Sequence, residues 1–143
     1  MNDTRSYPDR PFVGVGAVIV ADGKVVLIKR RYEPLAGRWS LPGGAVEVGE
    51  TLEECVAREM LEETGLEVEV ESDLGDIRYL YVWEGVRVRK RVHFFLMRAT
   101  GGDVTNHDAE MEDVRWFPLR AAIKRAAYKG EREVIERAVA RLS

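Results

Sequence analysis

The sequence predicts an α/β fold (α+β), in which a mixed β-sheet lies between helices. Segments rich in β-branched and aromatic residues occur both as hairpins and as strands separated by longer connections, and other segments have the signals of helices. A helical bundle or a barrel of strands alone would not give this mixture. The length of 143 residues and the hydrophobic content of 45% suit one domain, residues 1–143, with a single core.

The bulk composition gives expectations about partners and location. Residues 1–10 are polar, contain Pro8 and are followed by Pro11, so we expect a flexible or loosely packed segment there. No apolar run approaches the roughly 18 residues of a membrane span, so we expect a cytoplasmic protein with no membrane partner. The formal charge of -3 gives no sign of nucleic-acid binding, and none is expected.

The first half of the chain opens with a predicted β-hairpin. Small and branched apolar residues dominate from Phe12 to Val20, turn residues follow at 21–24, and a second apolar run spans Val25 to Ile28. A short strand is predicted from Arg38 to Leu41. It ends at Pro42-Gly43-Gly44, where paired glycines indicate a special loop with positive φ angles and close approach to a ligand.

Both ends of a helix from Thr51 to Thr64 are specified locally. Thr51 is the predicted N-cap, Glu54 completes a capping box, and Gly65 provides the C-terminal stop. Cys55 lies inside this acidic segment with no histidine beside it. We therefore expect a small, partly buried thiol, and neither a nucleophile nor a zinc ligand.

The second half predicts a long hairpin and a C-terminal helix. Runs of β-branched and aromatic residues at Ile77–Trp83 and Arg87–Met97 are joined by a Glu-Gly turn. After a polar loop from Gly101 to His107, a short strand is predicted at Val114–Phe117. Apolar residues recur at helical spacing in Glu131–Leu142, so this segment should pack on the sheet.

Three glutamates share one face of the first predicted helix. Glu59, Glu62 and Glu63 fall within an arc of roughly 100°, because residues at i, i+3 and i+4 are neighbours on a helix. Like charges at these spacings repel, and Arg58, which can reach Glu54 or Glu62, cannot neutralise the whole set. Oxygen ligands of this kind suit Mg²⁺, with Mn²⁺ as a substitute, better than zinc. Taken alone, the pattern is also typical of an ordinary solvated face.

The wider pattern favours the metal site. Nine positions reproduce the motif G-x5-E-x7-R-E-U-x-E-E-x-G-U, where U is apolar: Gly44, Glu50, Arg58, Glu59, Met60, Glu62, Glu63, Gly65 and Leu66. The chain therefore resembles the Nudix hydrolases. The resemblance implies an α/β/α sandwich with a mixed sheet, Mg²⁺ as cofactor, and hydrolysis of a phosphoanhydride bond in a nucleoside-diphosphate-linked substrate.

The resemblance also assigns roles to the motif residues. Glu59, Glu62 and Glu63 are similar to metal ligands, and we expect Glu59 to be the base for the attacking water. Arg58 is similar to the residue that orients the glutamates. Glu50 and the backbone carbonyls of Gly43 and Gly44 would then help to shape the metal site.

A further catalytic carboxylate is expected from the loop before the last strand. Family members often add one there, and both Glu110 and Glu112 precede Trp116. Glu110 is our choice. An ordinary surface carboxylate is the alternative, because this loop varies most within the family.

The second predicted hairpin is similar to that of bacterial diadenosine polyphosphate hydrolases, as is the tail from Tyr128 to Ile135. This resemblance implies that Tyr79 or Tyr81 stacks on a base and that Lys90, with Arg89 or Arg91 on the other strand face, binds phosphate. The alternatives are ordinary core tyrosines and a soluble strand face. The implied reaction converts diadenosine tetraphosphate to ATP and AMP. His93, flanked by apolar residues, is expected to be structural.

Other substrates stay open at this point. Many diadenosine hydrolases have lysine where Pro42-Gly43-Gly44 has glycine, and residues 12–50 are equally similar to hydrolases of ADP-ribose and of (oxidised) nucleoside triphosphates. ADP-ribose hydrolases tend to have a proline shortly past the motif, which this chain lacks between Leu66 and Thr100. A non-catalytic nucleotide sensor or RNA-binding domain is the alternative of another class. A homodimer is possible on family grounds.

Overall fold

The computed structural model describes residues 9–33 and 35–142. The strands within these ranges are β1 (Asp9–Ala21), β2 (Lys24–Arg30), β3 (Trp39–Ser40), β4 (Gly43–Ala45), β5 (Leu66–Trp83), β6 (Val86–Gly102) and β7 (Met111–Pro118). The α-helices are α1 (Leu52–Thr64), α2 (Leu119–Arg125) and α3 (Lys129–Leu142), and a short 3-10 helix spans Val104–Asn106. None of the described helices is both long and apolar enough to cross a membrane.

The strands form one mixed sheet. The order along it is β3-β2-β1-β6-β5, with β4 paired to β1 and β7 paired to β2. The pairing of β1 with β6 is parallel, whereas the other pairings are antiparallel. The prediction of a mixed sheet is therefore confirmed.

Helices cover both faces of the sheet. Side chains of a strand alternate between its faces, so each strand contributes apolar residues to both layers. Val15 and Ile19 of β1 belong to one apolar cluster with Met60 of α1. Val18 of β1 belongs to the other cluster, which contains Val134 of α3 together with residues of α2. The α/β/α arrangement expected from the resemblance is thus confirmed.

Helix α1 has the predicted caps. The Glu54 amide donates to Thr51 Oγ1 at 3.0 Å, and the Thr51 amide donates to Glu54 Oε1 at 2.9 Å. Gly65 ends the helix with a left-handed φ of 79°. Cys55 is fully buried rather than partly buried; burial raises the pKa of its thiol to about 11, as expected for an unreactive group.

The Gly43-Gly44 pair differs from the predicted loop. Both residues lie in β4, which pairs with β1, and neither belongs to the described residues with positive φ. Glycine is needed here for close approach of backbones instead. A Cβ at Gly43 would lie 2.6 Å from the Val15 carbonyl oxygen, and a Cβ at Gly44 would overlap the carboxyl group of Glu59.

The hairpin in the second half is longer than predicted. Strand β5 begins at Leu66, directly after the α1 cap, and β6 continues through Gly101 and Gly102, which were expected to lie in a loop. The pairing of β5 with β6 shifts register at three places between Glu67 and Gly75. These bulges interrupt the alternation of apolar and polar residues, so the sequence pattern of this part is hidden.

The first strand also begins earlier in the chain than predicted. Asp9 and Arg10 lie in β1 and pair with Arg87 and Val88 of β6, so the expectation of a loose segment is wrong for these two residues. Parallel pairing uses backbone groups alone, and it extends β1 beyond the apolar run. Residues 1–8 lie outside the described part of the chain.

Candidate active site

Arg58 connects three acidic residues of the predicted metal site by hydrogen bonds. Its Nε and Nη2 donate to the two carboxylate oxygens of Glu50 at 2.6 and 2.9 Å, and Nη1 donates to Glu59 at 3.0 Å and to Glu62 at 3.5 Å. The hydrogen bonds from Arg58 lower the pKa of Glu50 to about 2. Arg58 thus lies where it can orient the glutamates, whereas Glu54 is engaged in the capping box.

Glu59 packs on the backbone of Gly44. The lack of a side chain at Gly44 leaves the space that the Glu59 carboxyl group fills. Burial raises the pKa of Glu59, and the charge of Glu62 adds to that rise, while Arg58 opposes it. The β4 glycine and the α1 carboxylate therefore form one structural unit.

Glu63 is held by Gly43, the residue before Gly44 in β4. Its Oε1 accepts a hydrogen bond from the Gly43 amide at 3.0 Å, and the residue is only 6% exposed. Burial raises the pKa of Glu63 to about 8, with the hydrogen bond from Gly43 opposing the rise. The charges of Glu59 and Asp108 contribute to this rise, and the charge of Arg30 opposes it.

The predicted metal ligands fit a hard divalent cation in donor type and in charge. Glu59 and Glu62 contact Arg58, whereas Glu63 contacts Gly43. Within residues 9–33 and 35–142, no three acidic, histidine or cysteine side chains are therefore grouped closely enough to hold a metal ion in their present positions. The donors are all oxygens, as Mg²⁺ prefers. The raised pKa values of Glu59 and Glu63 show that an added positive charge would be favourable here.

The loop before β7 places a different carboxylate near these glutamates. Glu110 is exposed, and its backbone carbonyl accepts from the Arg31 amide at 2.9 Å. Glu112 forms an ion pair with Lys29 at 3.0 Å. Asp108 lies close enough to raise the pKa of Glu63, and its amide donates to the Glu62 carbonyl at 3.2 Å. Sequence reasoning did not select Asp108, because it follows the polar loop without any motif of its own.

A cavity begins at the same glycines. Its volume is about 110 Å³, and its walls include Gly43 and Gly44 of β4. The polar and aromatic side chains that line it are Arg30, Ser40, Tyr79, Tyr81, Lys90, Phe94, Tyr128 and Glu131. A second cavity of about 350 Å³ shares Leu35, Tyr79, Tyr81 and Tyr128 with the first. The two cavities therefore adjoin at the tyrosines.

Lys90, which the resemblance selected for phosphate binding, lines this cavity. It pairs with Tyr79 across β5 and β6, and paired residues of an antiparallel ladder share a face. Burial lowers the pKa of Lys90, and the neighbouring Arg30 lowers it further. Arg30, at the end of β2, was not selected from the sequence, because one arginine in Lys-Arg-Arg gives no sign of which side chain points inward.

Arg89 and Arg91 lie on the opposite strand face from Lys90, because neighbouring residues of a strand alternate. Neither residue belongs to the walls of the first cavity. Arg91 forms an ion pair with Asp76 at 2.7 Å. The structure thus brings Lys90 to the cavity and leaves Arg89, which was also expected to bind phosphate, outside it.

The two candidate tyrosines differ in their contacts. Tyr79 donates its hydroxyl hydrogen to Glu131 Oε2 at 2.6 Å, and its ring contacts Tyr128 edge-on with centroids 5.6 Å apart. Tyr81 lines both cavities and is partly exposed. Burial raises the pKa of both phenols. Tyr79 is consequently anchored, and Tyr81 is the more accessible ring.

Glu131 is a residue that the sequence did not reveal. It is 2% exposed, and its Oε1 accepts from the Leu41 amide at 2.7 Å. Burial raises its pKa to about 7, although the hydrogen bonds from Tyr79 and Leu41 oppose this. Helical spacing indicated that the segment packs on the sheet, but a glutamate at its start gave no sign of burial.

His93 lies away from the cavity, as a structural residue would. Its Nδ1 is 2.5 Å from an Asp76 oxygen and its Nε2 is 2.6 Å from an Asp73 oxygen. Burial disfavours the charged imidazole, but these two carboxylates outweigh it and raise the pKa of His93. The histidine joins two parts of β5 where the strand bulges.

Known proteins are similar to this chain in fold and in sequence. A crystal structure of a MutT NUDIX hydrolase from Burkholderia pseudomallei superposes with a TM-score of 0.70 and 31% sequence identity, covering 90% of this chain and 98% of that one. An ADP-ribose pyrophosphatase from Methanocaldococcus jannaschii is 54% identical over 65 residues, 46% of this chain and 38% of that protein. An 8-oxo-(d)GTP phosphatase from Mycolicibacterium smegmatis is 36% identical over 110 residues, 77% of this chain and 33% of that protein.

The aligned region spans less than half the length of these two curated relatives. The family model of the NUDIX domain, by contrast, matches residues 10–138, which include the strands of the sheet, the glutamates of α1 and the cavity. The chain therefore belongs to the NUDIX domain family.

Proposed function

We propose that the chain is a Mg²⁺-dependent hydrolase that cuts a phosphoanhydride bond in a nucleoside-diphosphate-linked substrate. One observation carries this proposal. On one side of β4, the Gly43 amide donates to Glu63 and the Glu59 carboxyl group packs on Gly44, and both glycines also line a cavity that holds Lys90. An acidic set and a basic cavity thus share one short strand, as a reaction on a metal-bound phosphate requires.

Glu59, Glu62 and Glu63 would hold the Mg²⁺, and Mn²⁺ would be a substitute. When bound, the cation lowers the pKa of water and neutralises phosphate charge. Glu59 is proposed to take the proton from the attacking water. Arg58 fixes Glu59 and Glu50 by hydrogen bonds, so it keeps the set aligned. Glu110 stays a candidate for an additional carboxylate, and Asp108 joins it on the strength of its influence on Glu63.

Lys90 and Arg30 are proposed to bind the phosphate oxygens. The two cations line the same cavity and Arg30 disfavours the charge of Lys90, so an anion between them would be stabilised. Tyr81 and Tyr128 would contact the nucleoside in the second cavity, since both line it. Tyr79 then forms the wall between the two cavities. The sequence-based prediction that Arg89 binds phosphate stays open.

ADP-ribose is our first choice of substrate, cleaved to AMP and ribose 5-phosphate. The 54% identity to an ADP-ribose pyrophosphatase covers 65 residues. An 8-oxo-(d)GTP phosphatase is less identical but aligned over more of the chain, so an oxidised nucleoside triphosphate is the second candidate. Diadenosine tetraphosphate, implied by the second hairpin, comes third, because neither of these two relatives is named for it.

A substrate panel tests the proposal. ADP-ribose, 8-oxo-dGTP, dGTP and diadenosine tetraphosphate are each incubated with the chain and Mg²⁺ or Mn²⁺, and products are identified by chromatography. The proposal predicts metal-dependent hydrolysis of at least one compound, with ADP-ribose giving the highest kcat/KM. If the folded chain binds a nucleotide but hydrolyses no compound with either metal, the activity is absent and the nucleotide-sensor alternative is favoured.

A further inference from the structure

Glu131 is a buried carboxylate that the proposed reaction does not use. It lies in the first turn of α3 and is 2% exposed. Burial of a carboxylate is costly unless its oxygens are hydrogen-bonded. Both oxygens have partners here: Oε1 accepts from the Leu41 amide at 2.7 Å, and Oε2 accepts from the Tyr79 hydroxyl at 2.6 Å. The two partners come from different parts of the candidate site.

The hydrogen bond to Leu41 connects Glu131 to the backbone segment that contacts the α1 glutamates. Two residues further along the chain, the Gly43 amide donates to Glu63, and Gly44 packs on Glu59. The residue between, Pro42, is fixed as well, because its carbonyl accepts from the Ala17 amide at 3.1 Å. Leu41 is therefore continuous with the short backbone segment that contacts both Glu63 and Glu59.

The bond to Tyr79 leads to the nucleotide cavities. Tyr79 lines both of them, and its ring contacts Tyr128, which also lines both. A hydroxyl bond to a buried carboxylate fixes the ring more firmly than packing alone, because bonds to charged acceptors are short and strong. Glu131 thus touches one wall of the cavities and the backbone that leads to the carboxylates.

We propose that Glu131 is a positioning residue, which holds the Leu41–Gly44 segment and Tyr79 in a fixed relation so that a nucleotide in the cavities meets the α1 carboxylates at the spacing that hydrolysis requires. Supporting residues of this kind commonly affect metal affinity or activity without touching the reacting atoms. The kinetic part of this inference rests on the proposed function. The mechanical part, that Glu131 fixes Gly43, does not.

A glutamine at position 131 separates positioning from charge. Its amide oxygen can accept from the Leu41 amide, while its NH₂ group donates to the Tyr79 hydroxyl oxygen, so both links are kept. Its charge is gone, and Lys90 loses a neighbouring carboxylate. Positioning predicts that glutamine is tolerated, whereas a role through charge predicts that it is not.

The experiment compares Glu131→Ala, Glu131→Gln and Val134→Ala with the unchanged chain. Val134 is fully buried on the same helix and belongs to the core cluster of that face, so its truncation is a control for lost stability. Two quantities are measured: kcat and KM for ADP-ribose, or for the best substrate of the panel, and hydrogen exchange of the Gly43 amide relative to other amides of β1 and β4.

Glu131→Ala is expected to lower kcat by about 10- to 100-fold with a smaller effect on KM, and to speed exchange selectively at Gly43. Glu131→Gln should stay close to the unchanged chain in both quantities, and Val134→Ala should show neither effect. The inference is overturned if Glu131→Ala behaves like Val134→Ala, or if glutamine is as damaging as alanine.

Two further arms keep the inference testable. If Glu131→Ala does not fold, Glu131→Asp replaces it in the experiment. Aspartate keeps the charge but is one methylene shorter, so positioning predicts a lower kcat, whereas a role through charge predicts an unchanged kcat. If the unchanged chain hydrolyses no compound of the panel, the proposed function fails, and exchange at Gly43 alone then decides whether Glu131 holds β4.

Discussion

The carboxyl group of Glu59 fills the space that a side chain at Gly44 would occupy. Gly44→Ala is therefore expected to displace Glu59 rather than unfold the chain, because the group in its way is the end of a side chain that can move. Activity should fall by about 100-fold, as misplacement by 1 Å can cause. The melting temperature should change little. Steady-state kinetics and thermal unfolding of the same sample check both parts.

Gly101→Ala is the matched control for this prediction. A Cβ at Gly101 would meet only the side chain of Glu67, which is exposed and has no role in the proposed reaction. It should keep full activity. If Gly44→Ala were equally active, the packing of Glu59 on β4 would have no part in the reaction.

Lys90→Met is expected to weaken binding of the substrate phosphates. Methionine keeps most of the side-chain volume but removes the positive charge, and a hydrogen bond to a charged group contributes about 1.5–3 kcal/mol. The KM for the preferred nucleotide should rise by about 10- to 100-fold, measured in initial-rate assays at saturating Mg²⁺. The exposed Lys124→Met on α2 should have no effect. An unchanged KM in Lys90→Met would remove Lys90 from the phosphate site.

The same assay with Arg89→Met decides the sequence-based prediction for Arg89. Arg89 lies across the strand from Lys90 and away from the walls of the first cavity, so we expect a change in KM of less than about twofold. A rise like that of Lys90→Met would mean that the substrate extends around the strand.

Tyr128→Phe is expected to have opposite effects on stability and on binding. The Tyr128 hydroxyl is buried and lacks a hydrogen bond of good geometry among the described residues, although Arg38 lies close enough to oppose the burial that raises its pKa. Removing an unpaired buried hydroxyl should leave stability unchanged or raise it by about 1 kcal/mol. If the nucleoside satisfies this hydroxyl, KM should rise at the same time. Urea unfolding and kinetics together check this, and a clear loss of stability would contradict it.

His93 should make stability depend on pH. Asp76 and Asp73 raise the pKa of His93 in the folded chain above the ordinary value near 6.5. The folded state therefore binds the proton more tightly, and the stabilisation is complete below about pH 6.5 and is lost as pH rises through the folded pKa. Urea unfolding between about pH 6 and 9 should show this fall. His93→Gln should flatten that part of the curve, and an identical slope in the variant would assign the fall to another group.

Sequence reasoning located α1 and its carboxylates because all of their signals are local. Thr51 and Glu54 cap each other three residues apart, and Glu59, Glu62 and Glu63 lie within five positions. No long-range contact is needed to recognise such a helix. The prediction that Pro42-Gly43-Gly44 is a loop failed because the reason for its glycines, the proximity of Val15 and Glu59, lies far away in the chain.

The wall of the cavity depended on contacts that no sequence pattern reveals. Glu131 forms hydrogen bonds with Tyr79, which is 52 positions away in the sequence, and with Leu41, which is 90 positions away. The first of these bonds anchors Tyr79. The resemblance selected Lys90 and Tyr79, which pair across β5 and β6, but it could not show that Arg30 of β2 enters the same cavity. The bulges of β5 similarly hid residues 66–76 of that strand from the sequence pattern.

The most direct test of the central claim is Mg²⁺-dependent hydrolysis by the double variant Glu62→Gln, Glu63→Gln. Its control is Glu69→Gln, Glu71→Gln, which changes two exposed glutamates that pair with Arg98 on the hairpin. Both variants should fold, as circular dichroism can show. The account predicts that hydrolysis of the best panel substrate is lost in the first variant and retained in the second. Full activity of the folded Glu62→Gln, Glu63→Gln variant would contradict it.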